Sequence, residues 1–531
     1  MPPARHKCRA LARKGQGSAA LSALLLTALS MVATVPARAD ELADLKQQVQ
    51  ELERRIDTIM QQQAASQAAA QAAAQAAPPP PVVAVVKSAS NAPTFNAGPV
   101  TVTLGGFVDL MVIARSRNEA ADWASNWNTA IPYPQSENYH LSEFHLTPRQ
   151  SRFSVLAQGP SDPDVAAEAY LEGDFGGGPR TGNNNESTSF SPRIRHFFAR
   201  YERKDSGWYL LFGQAWSMLT QNKTGIVARQ ELIPLTLDGQ YAPGFTWLRV
   251  PQIRFVKNFG TTAAFGLSLE NPAALIAPNS RCGTVPAPVT TAVCSTPGGA
   301  GYDANNNLSF DSRPDLIAKL AFDPGWGHYE ILVLERSFRD RVNGSNNSTS
   351  ATSGGGSVIL SLVANRLEFS VSGLVGKGVG RYGSAQLPDV TLQPNGQLAA
   401  IKGYEFLVGL TFKATPDLTL FAYGGREHAD QTDFTTGVGA GTTYWGYGNP
   451  GYDNSNCLIE GSSGGCTAHT SSITQGTIGG WWKFYQGTLG NMQFGMQLTN
   501  VKREIHSGLG GAPSTDIDVG EFSFRYYPYQ K

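Results

Sequence analysis

Beyond residue 100 the chain alternates between apolar and polar residues with the period of two that β-strands require. In residues 492–499, for example, every second side chain is apolar, at Met492, Phe494, Met496 and Leu498. Runs of this kind are about ten residues long, which is enough for a tilted strand to cross a bilayer. Sixteen runs follow one another, beginning near residues 102, 149, 165, 192, 207, 247, 261, 314, 327, 357, 366, 402, 417, 474, 489 and 517. The pattern predicts an all-β fold.

Short turns and long loops alternate strictly between these runs. The predicted long loops are residues 116–148, 176–191, 217–246, 271–313, 339–356, 377–401, 428–471 and 504–516. Short turns on one side and long loops on the other are typical of outer-membrane barrels, whereas a soluble β-sandwich has no reason to sort its connections in this way. We therefore expect residues 100–531 to form a 16-stranded antiparallel transmembrane β-barrel with both strand termini on the periplasmic side.

Aromatic residues cluster beside the short turns, at Trp208, Tyr209, Trp326, Phe484, Tyr485, Tyr526, Tyr527 and Tyr529. Membrane barrels carry such belts of aromatic side chains where the bilayer meets water. The cluster supports the predicted orientation, because it marks one membrane face.

Residues 1–39 have the features of a secretory signal peptide. A basic start is followed by an apolar run over residues 19–35 and by small residues at Ala37 and Ala39. The alternative is a membrane anchor helix, which needs about 20 apolar residues. The run is shorter than that and contains Ser and Thr, so cleavage is favoured.

Residues 40–60 predict a coiled-coil helix that assembles several chains. Its apolar residues are spaced alternately three and four apart, at Leu42, Leu45, Val49, Leu52, Ile56 and Ile59. The alternative is an amphipathic helix that packs on its own domain. The Ala/Gln-rich and Pro-rich linker over residues 61–99 argues against it, because a Pro-rich spacer holds the helix away from the barrel.

Charge and cysteine content narrow the functional classes. Residues 1–39 hold six basic residues and no acidic ones, so the rest of the chain has 36 basic and 42 acidic residues and a net charge of −6. Nucleic acid is therefore not an expected partner. The four remaining cysteines form two close pairs, Cys282 with Cys294 and Cys457 with Cys466. Two disulfides in an oxidising compartment are predicted, because neither a C-x-x-C spacing nor a neighbouring His pair favours zinc.

No motif argues for catalysis, a cofactor or a metal. The glycines at 378, 380 and 383 match a dinucleotide fingerprint by count, but no helix follows them. His140 and His145 flank Glu143, an arrangement more typical of solvated loop residues than of a metal site. No G-x-S-x-G motif of a serine hydrolase occurs.

A sixteen-stranded barrel leaves a water-filled lumen, and the third long loop, residues 217–246, is the expected constriction. Arginines lie on strands two, four and six near the outer rim. Strand parity places Arg152 and Arg254 in the lumen. In strand four Arg195 and Arg200 have opposite parity, and Arg193 and Arg195 are chosen. The predicted lining residues are Arg152, Arg193, Arg195, Arg254, Lys319, Glu168, Glu172, Asp174, Arg229, Glu231 and Asp238. The alternative is that the arginines only pair with Glu168, Glu172 and Asp174.

Several stretches resemble the DcaP-like family of trimeric outer-membrane porins. They are residues 104–109 (LGGFVD), 147–153 (TPRQSRF), 170–175 (YLEGDF), 192–196 (PRIRH) and 212–217 (FGQAWS). The resemblance implies a homotrimer of 16-stranded barrels in the outer membrane with an N-terminal periplasmic coil. It also implies passage of small anions such as dicarboxylates. The main alternative is an envelope-structural protein whose barrel is a non-conducting anchor.

Overall fold

The computed structural model describes residues 92–160, 162–177, 190–277, 292–293 and 311–528, together with eight helical positions between Gln47 and Gln61. The chain divides into two units, Met1–Pro81 and Val82–Lys531. In the first unit Glu51 and Arg55, one helical turn apart, form an ion pair of 3.6 Å. The predicted signal peptide and the seam residues Leu42, Leu45, Val49, Leu52, Ile56 and Ile59 lie outside the described residues. No helix among the described residues is long and apolar enough to cross a membrane.

The second unit is one closed antiparallel sheet of sixteen wall strands. They are β1 (Val100–Arg115), β2 (Glu143–Thr147 and Arg152–Gln158), β3 (Val165–Asp174), β4 (Arg193–Arg203), β5 (Trp208–Trp216), β6 (Arg249–Phe259), β7 (Ala263–Glu270), β8 (Asp315–Phe322), β9 (Gly327–Val342), β10 (Ser345–Val363), β11 (Leu367–Lys377), β12 (Lys402–Lys413), β13 (Leu418–Ala429), β14 (Thr470–Gly487), β15 (Gly490–Ile505) and β16 (Ser514–Tyr527). β16 pairs with β1, which closes the barrel. Closure satisfies the backbone groups of every strand, as a lipid environment demands. The predicted 16-stranded barrel is confirmed.

Shorter elements lie outside this wall. A strand at Thr94–Ala97, within the segment predicted as linker, pairs with the beginning of β1. The connections contain the strands Ala292–Val293, Val390–Leu392, Leu398–Ala400, Thr432–Thr436 and Thr443–Tyr447, and the 3-10 helices Glu137–His140 and Gly439–Gly441.

The outer face of the wall is apolar and the inner face is mixed. In β16, Phe522 and Phe524 are exposed on the outside, while Glu521 and Ser523, which alternate with them, are fully buried on the inside. The same alternation leaves Ile331 and Val333 exposed on β9. An outward apolar band of this kind is characteristic of barrels that sit in lipid. Tyr209, predicted in the aromatic belt, instead faces inward, with its hydroxyl bonded to the carbonyl of Ile226.

The prediction of a long loop over residues 339–356 is wrong. β9 and β10 continue as a hairpin through these residues and turn at Asn343 and Gly344, whose φ values are 47° and 80°. Two positive φ values in a two-residue turn are the geometry that Asn-Gly favours in hairpins. Both faces of this hairpin are polar, so its Ser- and Thr-rich sequence shows no apolar alternation. The alternation pattern therefore predicts a loop there.

β2 begins earlier than predicted and is interrupted. Glu143–Thr147 and Arg152–Gln158 both pair with β1, and Pro148, which has no N–H to donate to the ladder, follows the first piece. The side chain of Ser151 bridges the gap, since its hydroxyl accepts from the backbone N–H of Asp109 at 2.9 Å. Residues 143–147 are therefore wall and not loop.

Three long connections pack inside the barrel: loop 1 (residues 116–142), loop 3 (residues 217–248) and loop 6 (residues 378–401). Met218 and Ile226 of loop 3 share a buried apolar cluster with Tyr382 of loop 6 and with wall residues. Trp127 of loop 1 shares a second cluster with Leu237 of loop 3. The three loops thus form a common apolar core within the barrel.

Loop 7 (residues 430–469) carries a disulfide. Cys457 and Cys466 are bonded, which confirms this predicted pair. The backbone N–H of Gln135 in loop 1 donates to the carbonyl of Cys457 at 3.1 Å, so the bridged segment rests on loop 1. Cys282 and Cys294 lie outside the described residues, and their pairing stays a prediction.

Candidate channel constriction

Loop 3 crosses the lumen from the side of β5 and β6 to the opposite wall. The backbone N–H of Asn222 donates to Glu330 of β9 at 3.0 Å, and that of Leu237 donates to Gln497 of β15 at 2.7 Å. Between them the N–H of Leu235 donates to the hydroxyl of Tyr423 on β13 at 3.1 Å. The loop is therefore tied to strands on far sides of the barrel and narrows it.

The end of loop 3 lies directly on the backbone of β12 and β13. The N–H of Gly244 donates to Glu427 Oε1 at 2.7 Å, and the hydroxyl of Thr246 donates to Glu405 at 3.3 Å. Gly244 has φ +86°, and a Cβ there would collide with the carbonyl of Phe406. A Cβ on Gly425 would likewise collide with the carbonyl of Pro243. Only glycine allows this close approach of loop and wall.

A β-bulge in β4 decides which of its side chains enter the lumen. Glu172 of β3 faces His196, whereas the next residue, Gly173, faces Ile194. Arg195 is thus the extra residue, and it and His196 are both buried on the inner side. A bulge places two residues opposite one and re-aims side chains. The bulge explains how Arg195 and Arg200 can both face inward although their positions have opposite parity. Arg193, Arg195 and Arg200 all contact inward-facing acids.

Arg195 and Arg193 bind the two carboxylates of β3. Arg195 donates to Glu172 at 2.6 Å, to Asp174 at 2.9 Å and to the hydroxyl of Tyr241 in loop 3 at 3.2 Å. Arg193 binds both oxygens of Asp174, at 3.0 and 2.7 Å. Such bidentate, charge-assisted contacts fix guanidinium orientation. The predicted pairing of arginines with Glu172 and Asp174 is therefore present.

Two further arginines at the same level lack full pairing. Arg152 lies 3.9 Å from Glu172, and its Nε has no hydrogen-bond partner among the described residues. Arg249 lies over the ring of Trp216 at 4.4 Å, and its Nη1 is likewise unpartnered within the described part of the chain. We call Arg152, Arg193, Arg195 and Arg249 the arginine cluster. Its four guanidinium groups exceed the two carboxylates of Glu172 and Asp174 by two charges.

Arg229 of loop 3 points to the same region. Its side chain is exposed, and its guanidinium lies over the ring of Tyr170 on β3 at 4.4 Å. Tyr170 in turn donates to Glu172 at 3.0 Å. Loop 3 therefore adds a solvent-accessible positive charge opposite the arginine cluster.

Arg254 and Lys319 face inward as predicted, but loop 3 covers them. Each is only 1% exposed. Arg254 donates to the carbonyl of Trp216 at 2.6 Å, and Lys319 donates to Glu330 at 3.0 Å and to the carbonyl of Thr220 at 2.9 Å. Lys319 thereby holds loop 3 to the wall, Arg254 binds the last residue of β5, and neither faces an open path.

Glu231 and Asp238 of loop 3 are also buried, at 6% and 3% exposure. Asp238 accepts from the backbone and hydroxyl of Ser125 in loop 1, at 3.2 and 2.7 Å. Burial raises the pKa of both carboxyl groups. Because both are buried, they do not form an exposed acidic side of the constriction. Asp238 instead links loop 3 to loop 1.

Glu168 contacts a different arginine. Arg200 lies 3.2 Å from Glu168 and 3.5 Å from Glu202, farther along β4 toward the short turns. This group is separate from the arginine cluster.

Two residues of the constriction were missed at the sequence level. Strand parity does not identify Arg249, because its position has the opposite parity to Arg254. Arg249 is the first residue of β6, where it pairs with Trp216. Tyr241 carries no local signal at all, since only the path of loop 3 brings its hydroxyl to Arg195.

The described residues contain no group of three or more His, Cys, Asp or Glu side chains suited to a metal ion.

A closed barrel with an outward apolar band and a loop folded across its lumen defines an outer-membrane, porin-type channel fold. Among solved structures, the outer membrane channel DcaP of Acinetobacter baumannii matches with a TM-score of 0.55 and 17% identity over 81% of this chain and 98% of that chain. The resemblance seen in the sequence is thereby confirmed at the level of the fold.

Two further solved structures match with lower TM-scores. The anion-selective porin from Comamonas acidovorans has a TM-score of 0.40 and 11% identity over 81% of this chain and 99% of that chain. Salmonella typhi OmpF in complex with daunomycin has a TM-score of 0.43 and 9% identity over 82% of this chain and 100% of that chain. No protein-family model and no curated protein sequence matches this chain.

Proposed function

We propose that the protein is an outer-membrane porin that lets small hydrophilic solutes diffuse passively and favours anions such as dicarboxylates. The observation that carries the proposal is the arginine cluster, whose guanidinium groups outnumber the neighbouring carboxylates beside a loop that crosses the lumen. A charged ring selects ions by sign and field strength. Solute must also leave, and the partly exposed side chains of Arg152 and Arg193, at 25% and 29% exposure, offer contacts that water can replace.

Planar bilayers test this proposal directly. Purified protein should insert and conduct, and a KCl gradient should give a reversal potential of the sign that indicates chloride permeation. Adding succinate to one side should reduce chloride current, because a dicarboxylate competes for the same guanidinium groups. Stable insertion without conductance would instead support the alternative, a non-conducting structural anchor. Conduction with cation preference would refute the assigned selectivity but not the channel.

We also propose that three barrels assemble into a homotrimer, held mainly by barrel contacts and clamped by the coiled coil of residues 40–60. Three heptads are marginal alone, so the coil stabilises an assembly that the barrels already form. Deleting residues 40–81 is expected to leave a trimer with a lower thermal transition. Light scattering of the deletion variant in detergent measures its mass. Complete dissociation into monomers would show that the coil is the main interface.

A further inference from the structure

Tyr241 occupies an unusual position in loop 3. Its φ is +68°, a left-handed conformation that residues with bulky side chains rarely adopt. The ring packs against Trp216 and Phe245, with centroids 6.1 and 5.1 Å away, and the residue is 6% exposed. Non-glycine residues in this conformation concentrate at functional sites, which directs attention to what the side chain does there.

The phenol oxygen of Tyr241 lies among the charges of the arginine cluster. Arg195 donates to it at 3.2 Å, and this guanidinium also holds Glu172 and Asp174. Arg249 contacts the same Trp216 ring as Tyr241, at 4.4 Å, and has an unpartnered Nη1 within the described residues. The hydroxyl is therefore surrounded by more positive charge than the carboxylates neutralise.

Positive surroundings favour the ionised phenol. Burial alone would keep Tyr241 neutral, but Arg195, Arg152 and Arg249 outweigh burial and lower its pKa to about 7. A proton lost from this oxygen changes the net charge of the constriction by one unit near neutral pH.

We propose that Tyr241 is a switchable counter-charge of the arginine cluster and sets how strongly the constriction favours anions. The proposal rests on the proposed porin function. With the phenol neutral, the cluster keeps its excess of two positive charges; with the phenolate, the excess falls to one. Anion preference should therefore decrease as pH rises through neutrality.

Other charged or titratable residues lie on the elements around Tyr241. They are Arg152 on β2, Glu172 and Asp174 on β3, Arg193, Arg195 and His196 on β4, Arg249 on β6, Asp238 within loop 3 and Glu427 on β13. His196 is the important competitor, because a proton gained by an imidazole at low pH would change selectivity in the same direction as the phenol. Its ring lies 6.1 Å from Trp216. A histidine variant must therefore accompany the tyrosine variant.

The test compares wild type, Tyr241→Phe and His196→Asn by reversal potential in a 100 mM to 20 mM KCl gradient at pH 6 and at pH 8.5. Phenylalanine keeps the ring packing, so the barrel should fold. We expect the chloride-to-potassium permeability ratio of wild type to fall about two- to three-fold between the two pH values, as one unit charge near a permeating ion predicts. Tyr241→Phe should hold the pH 6 ratio at both values, and His196→Asn should behave as wild type.

A wild-type ratio that does not change with pH would overturn the proposal, as would a change that persists in Tyr241→Phe. A change lost in His196→Asn instead would assign the switch to the histidine. Phenolate absorbance at 295 nm separates this proposal from the porin function. One tyrosine of wild type should titrate near neutral pH and be absent from Tyr241→Phe, even if the barrel conducts no ions. A titration identical in the two proteins would overturn it independently.

Discussion

Replacing Arg152 and Arg249 together with glutamine is expected to remove most of the anion preference while the channel stays open. The double variant reduces the charge excess of the cluster from two to zero. Each charge about 6 Å from a permeating ion in a water-like dielectric contributes about 0.7 kcal/mol, so the permeability ratio should fall about ten-fold at low salt. Glutamine keeps hydrogen-bonding capacity and similar length, and conductance should change little. Reversal potentials in dilute KCl provide the measurement.

Arg203→Gln is the control, because Arg203 ends β4 at a short turn, away from the arginine cluster, and pairs there with the exposed Asp205. It should leave selectivity unchanged. The difference in permeability ratio between wild type and the double variant should also shrink at 1 M salt, where the Debye length is about 3 Å. An unaltered ratio in the double variant would mean that these arginines only support the wall. Arg195 is left in place because its removal together with Arg152 would leave Glu172 as a buried, uncompensated charge.

Substituting Gly425 with alanine should loosen loop 3. The added Cβ collides with the carbonyl of Pro243, and neither backbone can move without breaking its ladder or the bond from Gly244 to Glu427. Overpacking of this kind costs about 1–3 kcal/mol. We expect a lower thermal transition and a higher, noisier single-channel conductance.

Gly424→Ala provides the control, since a Cβ there has no atom within 4 Å. It sits on the same strand with the opposite orientation and should be silent in both measurements. Equal behaviour of the two alanine variants would show that loop 3 does not depend on this contact with the wall.

The barrel was predictable because alternation is a local property of each strand. Phe522 and Phe524 alternate with the polar Glu521 and Ser523, and this alternation alone predicts that they face lipid. The signal fails where both faces of a strand are polar, as in residues 345–351, although the Asn-Gly turn at 343 and 344 marked that hairpin. It also fails at Tyr209, where an aromatic residue beside a turn faces inward to support loop 3.

The constriction was predictable only in part. Parity placed Arg152 and Arg254 on the inner face, but it could not show that loop 3 covers Arg254 and leaves Arg152 half-buried. Burial of Glu231 and Asp238 depends on contacts with the wall and with Ser125 in loop 1, which lie far away in sequence. Tyr241 is positioned by the same long-range packing. Local patterns therefore identify the wall, whereas the lining of its narrowest part follows from how the loops fold.

The bulge in β4 has a consequence for how the channel can vary. A regular strand offers its inner face one side chain for every two residues, yet β4 offers Arg195 and His196 side by side. Deleting Arg195, the extra residue, would restore regular alternation and leave Ile194 and Phe197 toward lipid and His196 and Arg200 inward. The density of charge at this level is thus carried by a single inserted residue. Related barrels could gain or lose one such side chain by inserting or deleting one residue in this strand. All other residues of the strand would still point to the same side of the barrel wall.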